Sequence, residues 1–354
     1  MAYGTLAVND LLKTVRVGGS IWEVGEDRTW QAIESYLAAH NGILDQQLMG
    51  FVSKTTERIV GSGGVDDTLT FDELDEFGRA DAQKTAAGST LGFPMALYGR
   101  ALQWTRKYFE NHTPAEMVAQ VEAVMTADVL NVQKQIKKAL FTPTNRTVTD
   151  KLVDRMSIPV KALVNADSQS LPIGPNGEIF TASSHTHYLA RAGGSLAASD
   201  VSALISTVTE HYNSGMAMLY INQAQEAAIR AMTSNFTPYI DARIRVGSGT
   251  TVADGVLDQS NAYNRAIGIF DAAEVWVKPW VPASYLFAWM QGQTPPLAWR
   301  ERRPGSSNLG LDYENEQYPL RARQLGREFG IGVWNRVNGA ALYSGNTTYA
   351  APTL

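Results

Sequence analysis

The chain has 354 residues, of which 44% are apolar and 18% charged, and it carries a formal charge of −5. That is enough apolar material for one large or two ordinary domains with a substantial core, and it excludes a disordered type. The negative balance argues against a dedicated nucleic-acid binder, which presents a basic stripe to phosphates, and the absence of cysteine excludes disulfides, thiolate metal sites and thiol nucleophiles.

The opening segment, MAYGTLAVNDLLKTVRVGGS, carries Asp10, Lys13 and Arg16 and has no continuous apolar run of the secretory kind. Residues 1–26 offer short apolar pieces separated by Gly18, Gly19 and Gly25, which read as an arm packing on something larger. A helix follows with Trp30, Ile33 and Leu37 on one face, and Gly42 is expected to end or interrupt it. Two extended stretches, GFVSKTTERIV and STLGFPMALYGRALQWTRKYF, flank a polar excursion that opens with GSGG and contains DDTLTFDELDEFGRADAQK. An excursion of that length inside a compact domain usually carries function, and the expectation is a long hairpin with a charged end.

The strongest local signal comes next. Thr113, Pro114 and Glu116 form a capping box with proline at the first helical position. Met117, Val121, Val124, Val129, Val132, Ile136 and Leu140 continue an apolar stripe, and Pro143 closes it. The spacing predicts a rod of roughly 40 Å, a spine more than an ordinary domain helix. Short strands and a GPNGE turn follow to residue 195, then a helix over DVSALISTVTEHY capped by Ser199 or Asp200, a buried strand AMLYIN and a helix QAQEAAIRAM. Strand followed by helix recurs, so this middle portion reads as an α/β unit. GIFDAAEVWVKPWVPASYLFAWM supplies two more strands, its Lys278, Pro279 and Pro282 breaking the run well before the roughly 20 apolar residues of a membrane span. After the basic turn WRERRPGSSN, the segment FGIGVWNRVNGAALY reads as two apolar strands around an Asn338-Gly339 turn. Gly330 and Gly332 share one strand face, the pattern that lets another backbone approach.

Chemistry is sparsely signalled. His185 and His187 could point one way from a strand as two metal ligands, but neighbouring sequence signals no third, and hydrogen-bonded structural histidines are the preferred reading. The acids Asp66, Asp67, Asp72, Glu73, Asp75 and Glu76 do not follow calcium-loop spacing; they form either a solvated run or an interface for a basic patch. Arg300, Arg302, Arg303, Arg321, Arg323 and Arg327 form the matching basic concentration, and arginine suits interfaces because its planar fork holds carboxylates bidentately. No nucleophile elbow, phosphate loop, dinucleotide fingerprint or H-E-x-x-H helix is present. The expectation is no enzyme, no catalytic residue, no cofactor and no metal.

The order of parts, together with IFTASSHTHYLARAGGSLAASDVSALISTVTEHY and YPLRARQLGREFGIGVWNRVNGAALY, resembles the major capsid proteins of tailed double-stranded DNA bacteriophages. The resemblance covers nearly the whole chain. It implies an α+β Hong Kong 97-type capsid fold: an N-arm over 1–49, an E-loop over 50–105 lying on a neighbouring subunit, a P-domain over 106–194 with its spine helix at 113–141, an A-domain over 195–297, and P-domain closing strands over 298–354. It further implies self-assembly into hexamers and pentamers of an icosahedral head, built in the host bacterial cytoplasm and ending in the virion. Implied partners are a separate scaffolding protein (about 110 residues precede the spine, too few for a fused one), a portal, a decoration protein, and packaged DNA held without sequence-specific binding. No membrane is involved. A mildly acidic wall would leave the packaged DNA mobile. The alternatives are an encapsulin-like nanocompartment, a small metal enzyme centred on His185 and His187, and a tail or decoration protein.

Overall fold

The computed structural model describes residues 19–48, 50–62, 88–191, 196–239 and 264–354, together with Glu73, Leu74, Glu76 and Gly78. The described chain opens with α1 (Ile21–Val24), where Ser20 and Glu23 cap each other reciprocally, and α2 (Glu26–Leu48) follows. Trp30, Ile33 and Leu37 are buried on one face of α2, as the periodicity predicts. Gly42 does not end the helix. Glycine costs a helix about 1 kcal/mol relative to alanine, and here the last turns are held by burial of Leu44 and by Asn41, whose amide donates to the Leu309 carbonyl and accepts from its N–H, both at 2.9 Å.

The first extended stretch splits into β1 (Val52–Thr55) and β2 (Ile59–Ser62). β3 (Ser89–Gly92) pairs antiparallel with β2 from Ile59 opposite Gly92 to Ser62 opposite Ser89, forming the stem of the expected hairpin; most of its charged end lies outside the described residues. β4 (Ala96–Thr105) and α3 (Arg106–Asn111) lead into the spine, α4 (Pro114–Phe141). Its 28 residues give a rod of about 42 Å, and the Thr113 N–H donates to the Glu116 carboxylate at 2.7 Å. Six of the seven predicted stripe positions are buried, but Val129 is only half-buried and Asp128 occupies the stripe beside it.

β5 (Arg146–Thr149) pairs with β6 (Ser157–Val160), and β7 (Tyr188–Ala190) precedes α5 (Ala198–Thr209). The α5 cap is Ala197, with Asp200 accepting from its N–H at 3.1 Å, so the helix starts earlier than a Ser199 or Asp200 cap would allow. Then come β8 (Met216–Ile221), α6 (Gln223–Ala231), β9 (Phe236–Pro238), β10 (Arg265–Phe270), β11 (Ala273–Val277), β12 (Tyr285–Gln291), β13 (Leu297–Arg300), β14 (Gly310–Gln317), β15 (Leu320–Val333) and β16 (Ala340–Tyr343).

Among the described residues, seven strands form one sheet in the order β7-β16-β12-β8-β11-β10-β9. Both faces are covered. Tyr285, Phe287 and Trp289 of β12, with Met218 and Tyr220 of β8, pack on the C-terminal half of α4 through Val132, Ile136, Leu140 and Phe141. The alternate residues Leu286, Ala288 and Met290, with Ala217, Leu219 and Ile221, pack on α5 and α6. Double burial explains why AMLYI and YLFAWM are continuous apolar runs without alternation.

In the second sheet β15 is central: it pairs with β14 and, over ten residues, with β4 along its first part and with β13 at its last four residues, while β1 joins β13 in parallel. The N-terminal half of α4, from Met117 to Met125, packs with α1, α2, Trp104 and Leu325 in a separate core. The spine therefore bridges two cores. No described helix is long and apolar enough to cross a membrane.

One expectation fails here. β15 and β16 are not a hairpin around Asn338-Gly339 but belong to different sheets. Asn338 is consumed by β12 instead: its side chain accepts from the Met290 N–H at 2.7 Å and donates to the Met290 carbonyl at 3.0 Å. β15 also starts at Leu320, not near Phe329, and pairs with the unexpected acidic strand β14. The glycine expectation fares better, since a Cβ on Gly330 would lie 2.6 Å from the Pro94 carbonyl oxygen and one on Gly332 2.9 Å from the Phe93 ring.

Candidate functional site

Along β15, residues 321, 323, 325, 327, 329, 331 and 333 face one way, so Arg321, Arg323 and Arg327 share a strand face with Leu325, Phe329, Ile331 and Val333. That face lies on the helices, and it determines what the arginines do.

Arg327 is buried and forks onto Asp128 of α4, with Nε at 2.8 and 3.0 Å from the two carboxylate oxygens and Nη2 at 2.8 Å. Its remaining donors reach the Ser307 carbonyl at 2.8 Å and the Asn41 side-chain oxygen at 2.7 Å, and His40 completes the Asp128 shell at 3.0 Å. Arg323 is buried over the Trp30 ring, 4.0 Å from its centroid, and bonds Glu314 at 2.8 Å. Arg300 donates to the Phe93 carbonyl at 2.7 Å and to buried Asp150 at 2.9 Å. These three arginines are internal struts and do not form part of an exposed basic surface; the reading of them as contacts to a neighbour is corrected accordingly. A buried guanidinium needs a carboxylate beside it, and each has one within the chain.

Arg321 is half-buried between Glu26 and Glu316. Arg302 is exposed and pairs with Glu328, its Nε at 3.0 Å, while Arg303 is exposed. Of the acids, Glu73 and Glu76 are exposed; Asp66, Asp67, Asp72 and Asp75 lie outside the described residues. Other cations gather elsewhere. Lys138, Arg146 and Lys151 line a cleft of about 350 Å³ between α4 and β4, floored by Tyr98, Phe329 and Ile331. Burial holds Arg146 below its ordinary pKa, and its Nε has no hydrogen-bond partner.

Among the described residues, a long exposed stretch belongs to the ribbon of β4, β15 and β14. Every residue from Leu311 to Gln317 is exposed, and Tyr313 and Tyr318 are 61% and 84% exposed at and beyond its acidic strand. The sequence pattern missed this ribbon because β14 has no apolar alternation.

The two histidines of the sequence reading do meet, and a third joins them. His185 and His187 lie in the segment entering β7, and His211 sits just past α5. Their Nε2 atoms are mutually 3.1, 3.1 and 3.0 Å apart. The His187 Nδ1 donates to the Gly339 carbonyl at 2.7 Å, which leaves its Nε2 as a lone pair. Burial and the neighbouring His211 hold His187 well below its usual pKa, burial with nearby His185 brings His211 down to about 4, and burial lowers His185. Nothing in linear spacing marks His211 as a partner; only the packing of α5 across β12, β16 and β8 brings it there.

No protein-family model matches the chain, and no curated protein matches its sequence. Solved structures do match. One from Mycobacterium phage Patience superposes with a TM-score of 0.65 over 97% of this chain and 94% of that one, at 19% identity. The fold is the Hong Kong 97-type capsid fold. The chain is also similar to the capsid of a native GTA particle (TM-score 0.46, 12% identity, 84% of this chain and 89% of that one) and to the holo-SrpI encapsulin complex of Synechococcus elongatus (0.44, 9%, 87% and 91%). Within this Hong Kong 97-type fold, α4 reaches both cores together with α2 and β15, and the β4-β15-β14 ribbon projects the exposed tyrosines.

Proposed function

We propose that the chain is the major capsid protein of a tailed double-stranded DNA phage, closing as hexamers and pentamers into an icosahedral head. The observation that carries this reading is the fold match over nearly the whole chain, taken with a ribbon whose outer strand is exposed among the described residues. An antiparallel ribbon open to water on its outer strand gains little from folding alone, and a neighbouring copy supplies the missing cover. Identical subunits in a closed shell meet through unlike surfaces, and the exposed ribbon and the cleft beside α4 are two such surfaces.

On this reading residues 1–49 are the N-arm, 50–105 the E-loop and 195–297 the A-domain, with β16 returning from the closing segment into the A-domain sheet. The shell is assembled in the host cytoplasm with a separate scaffolding protein, a portal and a decoration protein. It packages DNA without reading its sequence and performs no catalysis itself. The acidic end of the hairpin, from Asp66 to Glu76, docks on cations of an adjacent subunit. With Arg300, Arg323 and Arg327 committed inside the chain, Arg303 and the Lys138-Arg146-Lys151 cleft are candidate cations for it.

Sedimentation velocity of the expressed chain, alone and with a scaffolding protein from the same source, tests the proposal. Fast-sedimenting particles containing double-stranded DNA support it when the particles are made during phage growth. Particles filled with protein cargo indicate the nanocompartment alternative, and a stable monomer or dimer under every condition overturns both.

A further inference from the structure

We propose that His185, His187 and His211 bind one zinc ion, with Glu210 completing the site, and that this ion fastens the loop before β7 to the end of α5. The case rests on what three neutral imidazoles can do in this geometry. A ring nitrogen presents either one in-plane proton or one in-plane lone pair. Three Nε2 atoms in mutual contact at 3.0 to 3.1 Å therefore admit no more than one ordinary hydrogen bond, and two contacts are left without a bridging proton. A single cation removes the conflict, because all three lone pairs then donate to it.

The dimensions fit. Zinc–nitrogen bonds of about 2.0–2.1 Å in a tetrahedron place neighbouring donor nitrogens about 3.3 Å apart, so the triangle opens by a few tenths of an ångström when filled. The Glu210 carboxylate lies 3.6 Å from the His185 Nε2 and 3.9 Å from the His211 Nε2, within reach of the fourth position. The Gly339 carbonyl backs His187 as a hydrogen-bonded outer partner does in metal sites, fixing which nitrogen faces inward. The Phe180 ring packs on His185 and His211, with centroids 4.8 and 4.3 Å away, and limits water. His187 is fully buried and His211 nearly so, which shields the three facing nitrogens from water. His211 Nδ1 is buried without a partner, so the ring's only bonding contacts are those made through Nε2. Covered as it is, the ion has a structural role: it joins residues 181–187, the end of α5 and, through Gly339, the crossing into β16.

The test uses the full untagged chain, freed of metal by a chelator and shown to be folded by circular dichroism. Zinc is titrated against a chromophoric chelator, and cobalt(II) is added separately to read coordination from its visible spectrum. The expected result is one zinc per chain, an intense tetrahedral cobalt spectrum and a higher melting temperature with zinc. His185→Asn and His211→Asn each lower zinc affinity at least about tenfold, whereas His112→Asn, at the half-buried C-cap of α3 and outside the cluster, leaves it unchanged. A folded chain that takes up no zinc overturns the proposal. So do equal affinities in His211→Asn and His112→Asn, which identify an adventitious ion only. Zinc content is counted per chain, so the outcome does not depend on whether shells form.

Discussion

Arg327 on the central strand and Asp128 on the spine are joined by three hydrogen bonds of 2.8 to 3.0 Å, with both side chains almost completely buried. Asp128 sits where the spine passes from one apolar core to the other, so the pair pins β15 to the midpoint of α4. Removing one partner of such a pair leaves an uncompensated buried charge and costs about 3–5 kcal/mol. Asp128→Ala is expected to lose that much in denaturant unfolding of the unassembled chain. The double variant Asp128→Leu/Arg327→Met is expected to recover most of it.

The same pair sets an acid limb. Burial alone would raise the Asp128 pKa, but hydrogen bonds from His40 and Arg327 more than offset it and hold the group below its ordinary 3.8. A carboxylate whose folded pKa is depressed contributes stability that is complete above the unfolded value and is lost as pH falls through the folded one. Acid unfolding followed by circular dichroism is therefore expected to show a limb below pH 3.8 that flattens in Asp128→Asn. An unchanged limb would mean that other carboxylates set it.

Gly330 faces the Pro94 carbonyl so closely that a methyl group would lie 2.6 Å from its oxygen. Backbone cannot yield as a side-chain end can, and overpacking of this kind costs about 1–3 kcal/mol. Gly330→Ala is expected to lower the melting temperature, whereas Gly61→Ala, which meets nothing within 4 Å, is expected to leave it nearly unchanged.

Reversing charge at Asp72, Glu73 and Asp75 together is expected to reduce particle yield and the melting temperature of assembled shells while leaving the unassembled chain's unfolding unaltered. The comparison separates a docking role from a structural one. Equal yields and equal shell melting would remove the acidic end from the interface.

Local chemistry was legible wherever burial followed a simple period. The Thr113–Glu116 box, the spine, the α2 stripe and the runs of β8 and β12 all stand in the structure where the sequence places them. Four things were not legible, each because a tertiary contact decides it. Asp128 counts as polar in any pattern, yet it occupies a stripe position because Arg327, from 199 residues away, neutralises it. The arginines of β15 read as a surface concentration, although their period-2 spacing with Leu325 and Phe329 was the available signal that they face inward. Asn338-Gly339 is good turn chemistry, but Asn338 binds β12 and the chain crosses between sheets there. His211 became a partner of His187 only through the fold.

The central claim is that this chain covers its projecting ribbon only against further copies of itself. Single-particle electron microscopy of the purified protein tests it most directly. Closed hollow shells are expected, with the strand bearing Tyr313 and the adjoining Tyr318 lying against an adjacent subunit. A well-dispersed single-copy particle, with those tyrosines in water and no shell formed with or without scaffold, would contradict it.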